Sequence, residues 1–280
     1  MILPQPQPCP LFIYGMGLGV TGAALGTVGG QAVSAGMALW FFFAQPNRPY
    51  RITAAHLVPR PRVIGAILAI GAPSFLAGLG ATLLVVLINA TLATNTLLTG
   101  AVALAAFAVC SRIQTFVTMP QLGITQGVQP IVGYNHGQGS TDRADRARTV
   151  ALRSTIGYGA VIGLLVVAAA EPLARVFLTD PAAISAAVQA LRIVAVACAF
   201  SGVAPLVSAY FQAIGRPSPS YLISIGTLVA IKIPLVPLLA TFGPAGTWAS
   251  IPLGEALSAV TALTILRRHT PRPAPEQPRA

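Results

Sequence analysis

Runs of about 20 mostly apolar residues recur along this chain, the length an α-helix needs to cross the hydrocarbon core of a bilayer. Seven such runs predict helices at 17–43, 63–90, 97–118, 150–170, 184–212, 220–240 and 247–266. Proline or glycine punctuates most of the gaps between them. The polar gaps alternate in charge. One set holds Arg48, Arg51, Arg60 and Arg62, then Arg143, Arg146, Arg148 and Arg153, then Arg216, then Arg267, Arg268, Arg272 and Arg279. The other set, at 91–96, 171–181 and 241–246, holds only Arg175. Basic loops stay cytoplasmic, so the C-terminus is expected inside and, with an odd number of spans, Met1 outside.

Composition strengthens the membrane reading. The chain has 280 residues, 55% hydrophobic and 8% charged, with a mean hydropathy of +0.75. Soluble domains carry about 25% charged residues, so too few charges are present to cover a surface in water. The net charge of +11 does not indicate nucleic acid, because the basic residues fall between apolar runs and not along one face with interleaved aromatics. Cys9, Cys110 and Cys198 are far apart, with no CxxC or Cys/His cluster, which predicts buried small side chains and no metal site. No nucleophile–base pair, metal cluster or phosphate loop points to an enzyme or a cofactor. Gly17, Gly19 and Gly22 spell G-x-G-x-x-G, but the acid a dinucleotide site wants about 20 residues later is replaced by Ala38-Leu39-Trp40-Phe41-Phe42. Gly22, Gly26 and Gly30 fit helix packing in lipid.

Four ionisable residues lie in or near the spans: Arg112, Arg192, Lys232 and Glu255. Each costs about 2.5–3.5 kcal/mol at mid-bilayer on insertion scales, so they are expected to face the bundle interior, water or one another. Arg112 and Lys232 are read as structural intramembrane charges. Glu255, the only acid within a predicted span, is the candidate ion-coupling residue, or else the partner of Lys232 or Arg112. Asn89, Gln114, Gln126 and Gln129, with Phe116, Met119 and Tyr210, are the candidate lining of a substrate cavity. Pro73, Pro120, Pro205, Pro234, Pro237 and Pro252 lie in or near span ends, as in the broken helices of transporters.

The words of the chain resemble one family. Arg112-Ile113-Gln114-Thr115-Phe116, Met119-Pro120 and the stretch from Gly123-Ile124-Thr125-Gln126-Gly127 through Gln129-Pro130 to Tyr134-Asn135 and Gly137 are similar to the multidrug and toxic compound extrusion (MATE) family, in its bacterial multidrug-export branch. Phe211-Gln212-Ala213-Ile214-Gly215-Arg216-Pro217 resembles the end of that family's tenth helix. Trp248-Ala249 with Pro252 and Glu255 resembles the twelfth, where an aspartate is usual at the Glu255 position. Pro10-Leu11-Phe12-Ile13 with Gly22-Ala23-Ala24 resembles the approach to the sixth, although Pro8-Cys9 stands where Leu-Asp is usual.

The resemblance implies an all-α integral membrane protein of about seven transmembrane helices. It would comprise the last helix of an N-lobe (1–44), a cytoplasmic linker (45–62), a six-helix C-lobe (63–268) and a cytoplasmic Pro/Arg tail (269–280). It implies multidrug efflux of cationic or amphipathic compounds from the plasma membrane, by antiport against H⁺ or Na⁺ and alternating access. The expected partners are the lipid bilayer, such drugs and an N-terminal lobe, with no nucleic acid, cofactor or metal. Met1, external and without a signal peptide, suggests a chain that starts within a longer protein. Two features depart from the family: its first five helices, with their proton-linked aspartate, are not in this chain, and 63–90 and 184–212 lack the acids some members carry there. The competing readings are a non-transporting fragment or structural membrane partner, and a lipid-linked sugar flippase of the same superfamily.

Overall fold

The computed structural model describes residues 19–44, 60–94 and 100–269. The expected linker at 45–59, the motif at 8–13, Cys9 and the tail from 270 lie outside the described residues. The chain divides into two units, Met1–Arg60 and Pro61–Ala280. The first contains helix α1, Gly19–Ala44, 26 residues without a charge. At about 1.5 Å per residue it is long enough to span a bilayer.

The second unit is helical throughout its described residues. Its helices are α2 (Pro61–Ala93), α3 (Gly100–Gly137), α4 (Thr141–Ala168), α5 (Ala170–Phe177), α6 (Pro181–Val194), α7 (Val203–Ala213), α8 (Pro217–Tyr221), α9 (Ile233–Ala240) and α10 (Pro244–His269). Six stretches among the described residues are long and apolar enough to cross a membrane: α2, α3, α4, Pro181–Ala213 (α6 and α7), Pro217–Ala240 (α8 and α9) and α10. This is a multi-pass membrane protein. Phe75, Leu164 and Phe242 stand exposed, an arrangement that lipid tolerates and water does not.

Helix α3 overturns one expected boundary. The apolar run suggests an end near residue 118, yet the helix continues through Pro120 and Pro130 to Gly137. Its second half looks like a loop by composition because it carries glutamines, an asparagine and glycines. In lipid an irregular backbone would leave N–H and C=O groups unpaired, so helix persists; Gln121 is buried against other helices, whereas Gln126 stays exposed. The basic gap expected between the third and fourth apolar runs shrinks to a turn around Gly139, whose φ of +77° favours glycine. Arg143, Arg146 and Arg148 therefore ride on the first turns of α4.

Two spans are broken. Pro181–Ala213 passes from α6 into a 3₁₀ stretch, Ala195–Ala199, before α7 begins; Pro205 sits in the first turn of α7, where its lack of an N–H costs least. Pro217–Ala240 widens into two π-helical segments, Leu222–Gly226 and Leu228–Lys232, before α9. Pro234 and Pro237 cannot donate to the carbonyls of Ala230 and Ile233.

Alternating directions gather one end of every span together. Tyr210 Oη donates to Asp145 Oδ1 at 2.9 Å, Arg148 pairs with Asp145 at 2.9 Å and lies over the Tyr210 ring, and Phe211 meets His269 edge to face. This end carries Arg62, Arg143, Arg146, Arg148, Arg216, Arg267 and Arg268. Two apolar clusters fill the unit. The one toward the other end is rich in alanine and includes Trp248, Leu92 and Leu191. The one toward the arginine end is built on Phe211, Leu206, Val132 and Ile223.

Candidate functional site

A cavity of about 560 Å³ opens inside the six-span unit, and five of the six spans line it. Ile88 and Phe107 of the first cluster and Ile223 of the second form parts of its wall. The span Pro217–Ala240 shapes it through its π turns, which turn Ser224, Thr227, Leu228 and Lys232 onto the cavity. Isolated π turns inside helices are frequent at functional sites. A side chain at Gly80 would overlap Leu228, so glycine there lets α2 close on the second π segment.

The cavity has two polar ends. At one, Lys232 Nζ lies 2.6 Å from Glu255 Oε1, with the side chains only 20% and 16% exposed. The lysine stem runs beside Gly254, where a Cβ would stand 3.4 Å from Lys232 Cγ, an ordinary packing contact. Lys232 and Glu255 are the ionisable residues of the lining, so its formal charges cancel.

At the other end hydroxyls and one amide are joined. Ser208 and Ser220 hydroxyls lie 2.6 Å apart and Ser208 and Ser224 3.2 Å apart. Gln212 Nε2 donates to Ser220 Oγ at 3.1 Å and to Ser208 Oγ at 3.3 Å. Ser74 Oγ donates to Gln212 Oε1 at 3.0 Å, which ties α2 to α7. Between the two ends the walls are mostly apolar.

Behind this cavity lies a second hollow of about 400 Å³ that shares Glu255, Gln114, Thr125 and Ser201 with it. Its floor is a buried clasp. Gln121, 2% exposed, donates from Nε2 to the Cys198 carbonyl at 2.9 Å and to the Thr155 carbonyl at 3.4 Å, and accepts from Ser201 Oγ at 2.8 Å. The clasp forms because the 3₁₀ stretch turns the Cys198 carbonyl sideways. A Cβ at Gly159 would collide with that carbonyl, so bare backbone on α4 is what lets the stretch approach.

The sequence candidates divide accordingly. Gln114, Gln126 and Gln129 line the cavity, and Met119 lines the second hollow. Lys232 and Glu255 meet as an ion pair. Four candidates sit elsewhere in the structure. Asn89 is half-buried on α2 and outside the lining, because the helix turns Ile88 inward instead. Phe116 is 76% exposed and sits on the face of α3 away from the core. Arg112 shares that face and is exposed, with no partner among the described residues. Tyr210 points to Asp145 at the arginine end and not into the cavity. Sequence reasoning missed Ser74, Ser208, Ser220, Ser224 and Gln121. The i, i+4 spacing of Ser220 and Ser224 in an apolar run was the available signal. Among the described residues no group of three His, Cys, Asp or Glu side chains is placed to hold a metal ion.

Comparisons with known proteins agree with this architecture. The multidrug export protein MepA of Staphylococcus haemolyticus is 29% identical over 259 residues, 92% of this chain and 56% of that protein. MepA of Staphylococcus aureus is 26% identical over 258 residues, with 92% and 56% covered. The chain therefore spans about half the length of the curated relatives it matches. Among solved structures, an outward-facing multidrug resistance MATE family transporter superposes with a TM-score of 0.82 at 23% identity, over 92% of this chain and 58% of that one. A MOP superfamily transporter from Pyrococcus furiosus gives a TM-score of 0.81 at 23% identity over the same shares. These two share the fold. The MatE family model matches residues 73–238, from the middle of α2 into α9, and the chain belongs to the MatE family.

Proposed function

We propose that this chain supplies the ligand-binding C-terminal lobe of a multidrug exporter, a carrier that moves cationic or amphipathic compounds across the plasma membrane by antiport against protons or sodium. The cavity carries this reading. It is concave and largely apolar, with a few convergent hydrogen-bonding groups, the usual make-up of a small-molecule site. Gln114, Gln126 and Gln129 have no hydrogen-bond partner among the described residues and are free to meet a ligand. The export role of the MepA relatives supports it further. Alternating access in such folds rocks one repeat against another about a central site, so a second lobe is the expected partner and supplies the opposite wall. The arginine-rich end faces the cytoplasm in this reading, by the bias of basic loops, and the C-terminus with it. Glu255, the carboxylate that α10 carries into the cavity, is the coupling candidate.

The test is ligand binding by the purified chain in detergent, read as ethidium fluorescence. Saturable enhancement is expected, and Ala81→Trp, which fills the cavity from α2, should weaken it at least about tenfold, or ~1.4 kcal/mol. Equal binding by that variant would place the ligand elsewhere and overturn the assignment. In liposomes under a proton or sodium gradient this chain alone should give no gradient-driven ethidium uptake.

A further inference from the structure

We propose that the Glu255 site already holds its cation: the ammonium of Lys232 is a tethered resident ion that excludes free Na⁺ from the carboxylate. The inference rests on the reading of the cavity as the working site, and it narrows the choice of coupling ion there. Lys232 Nζ stands 2.6 Å from Glu255 Oε1, the separation of a charge-assisted hydrogen bond. Both side chains are about four-fifths buried, so water screens the pair weakly. A Na⁺ ion approaching the carboxylate would have to push the ammonium aside and leave two like charges together in a cavity with no other carboxylate among its lining residues. The tether also gives the ammonium an effective concentration that free ions do not reach without cost.

The backbone sets the placement. Lys232 ends the second π segment, and its stem passes beside Gly254 of α10. Arg112, the other intramembrane cation weighed as a partner, lies on the outward face of α3. In consequence the wild-type cavity presents no net charge. It recognises ligands by hydrogen bonds from its glutamines and hydroxyls, with apolar contact in between.

The test uses the purified chain in detergent, with thermal unfolding followed in NaCl against N-methyl-D-glucamine chloride at equal ionic strength. The wild-type midpoint should be the same in both salts. Lys232→Met should become Na⁺-sensitive, with its midpoint several degrees higher in NaCl, and the double variant Lys232→Met with Glu255→Gln should lose that sensitivity. Where Lys232→Met proves too unstable to purify, Lys232→Ala prepared and assayed in ethylammonium chloride substitutes for it. Ethylammonium should then restore the midpoint more than tetramethylammonium, which cannot donate a hydrogen bond. A Na⁺-dependent shift in the wild type that Glu255→Gln abolishes would overturn the inference. So would a charge-neutral Lys232 variant that folds yet answers to neither Na⁺ nor ethylammonium. Neither readout involves drug or gradient, so loss of ethidium binding would sink the cavity assignment while leaving the resident cation standing.

Discussion

Replacing Gln121 by leucine should loosen the crossing of α3, α4 and the 3₁₀ stretch without touching the lining of the main cavity. Leucine keeps most of the side-chain volume and removes both donors and the acceptor. Three hydrogen bonds are lost, to the Cys198 carbonyl at 2.9 Å, the Thr155 carbonyl at 3.4 Å and the Ser201 hydroxyl at 2.8 Å. Interhelical hydrogen bonds in a bilayer average about 0.6 kcal/mol each and reach about 1.7, so the loss comes to about 2 kcal/mol. The Cys198 carbonyl keeps one weak acceptor role, from Ser201 Oγ at 3.3 Å, which holds the cost below that of a fully stranded carbonyl. For a domain of this size each kcal/mol lowers the unfolding midpoint by about 2–4 °C, giving a drop of about 4–8 °C. The assay follows from the structure. Cys110 and Cys198 are free and buried, so a thiol-reactive fluorogenic dye reports their exposure on heating, in a Cys9→Ser background. Gln126→Leu, an exposed glutamine on the same helix, is the control and should move the midpoint by less than about 1 °C. If Gln121→Leu behaved like that control, the clasp would carry no stability and the argument from its bonds would be refuted.

Gly159→Leu should be worse than Gln121→Leu, because a side chain there meets the Cys198 carbonyl and the Gln121 amide; overpacking costs about 1–3 kcal/mol, and loss of a monodisperse peak in size-exclusion chromatography reads it. Tyr210→Phe removes the bond to Asp145 but keeps the ring under Arg148, so a cost of about 1 kcal/mol with ethidium affinity unchanged is expected; reduced affinity would return Tyr210 to the cavity. A cysteine replacing the exposed Arg143 should react with a membrane-impermeant maleimide only after cells are opened, and labelling in intact cells would invert the proposed orientation.

The spans were legible because lipid imposes a length and apolarity that few soluble segments share. The exception, the second half of α3, shows the limit of that logic: Gln121 and Thr125 look like loop residues by composition and are buried helix residues in fact. The cavity was legible by helix and less so by residue. Gln114, Gln126 and Gln129 lie within one stretch of α3 and reach it together, whereas Phe116 belongs to the opposite face. Arg112 was expected to face the bundle interior, water or another charge because it interrupts an apolar run, but rotation about α3 decides its surroundings, and no run of letters states that rotation. The serine network was hidden for a different reason. Ser208, Ser220 and Ser224 come from separate segments, and only a broken helix packed against a widened one brings their hydroxyls within bonding distance.

The widened helix sets a phase as well as a shape. Each π turn holds one residue more than the α turn it replaces, and one residue corresponds to about 100° of rotation. If either segment, Leu222–Gly226 or Leu228–Lys232, tightened to an α turn while α8 stayed in place, Lys232 would swing about a quarter of a turn away from Glu255. The meeting of those two charges therefore depends on how many residues the span spends per turn, and not only on which residues it contains. Deleting a single residue such as Val229 should let the second π turn close to an α turn with the lysine still facing the glutamate, whereas the same tightening with every residue kept would carry it away.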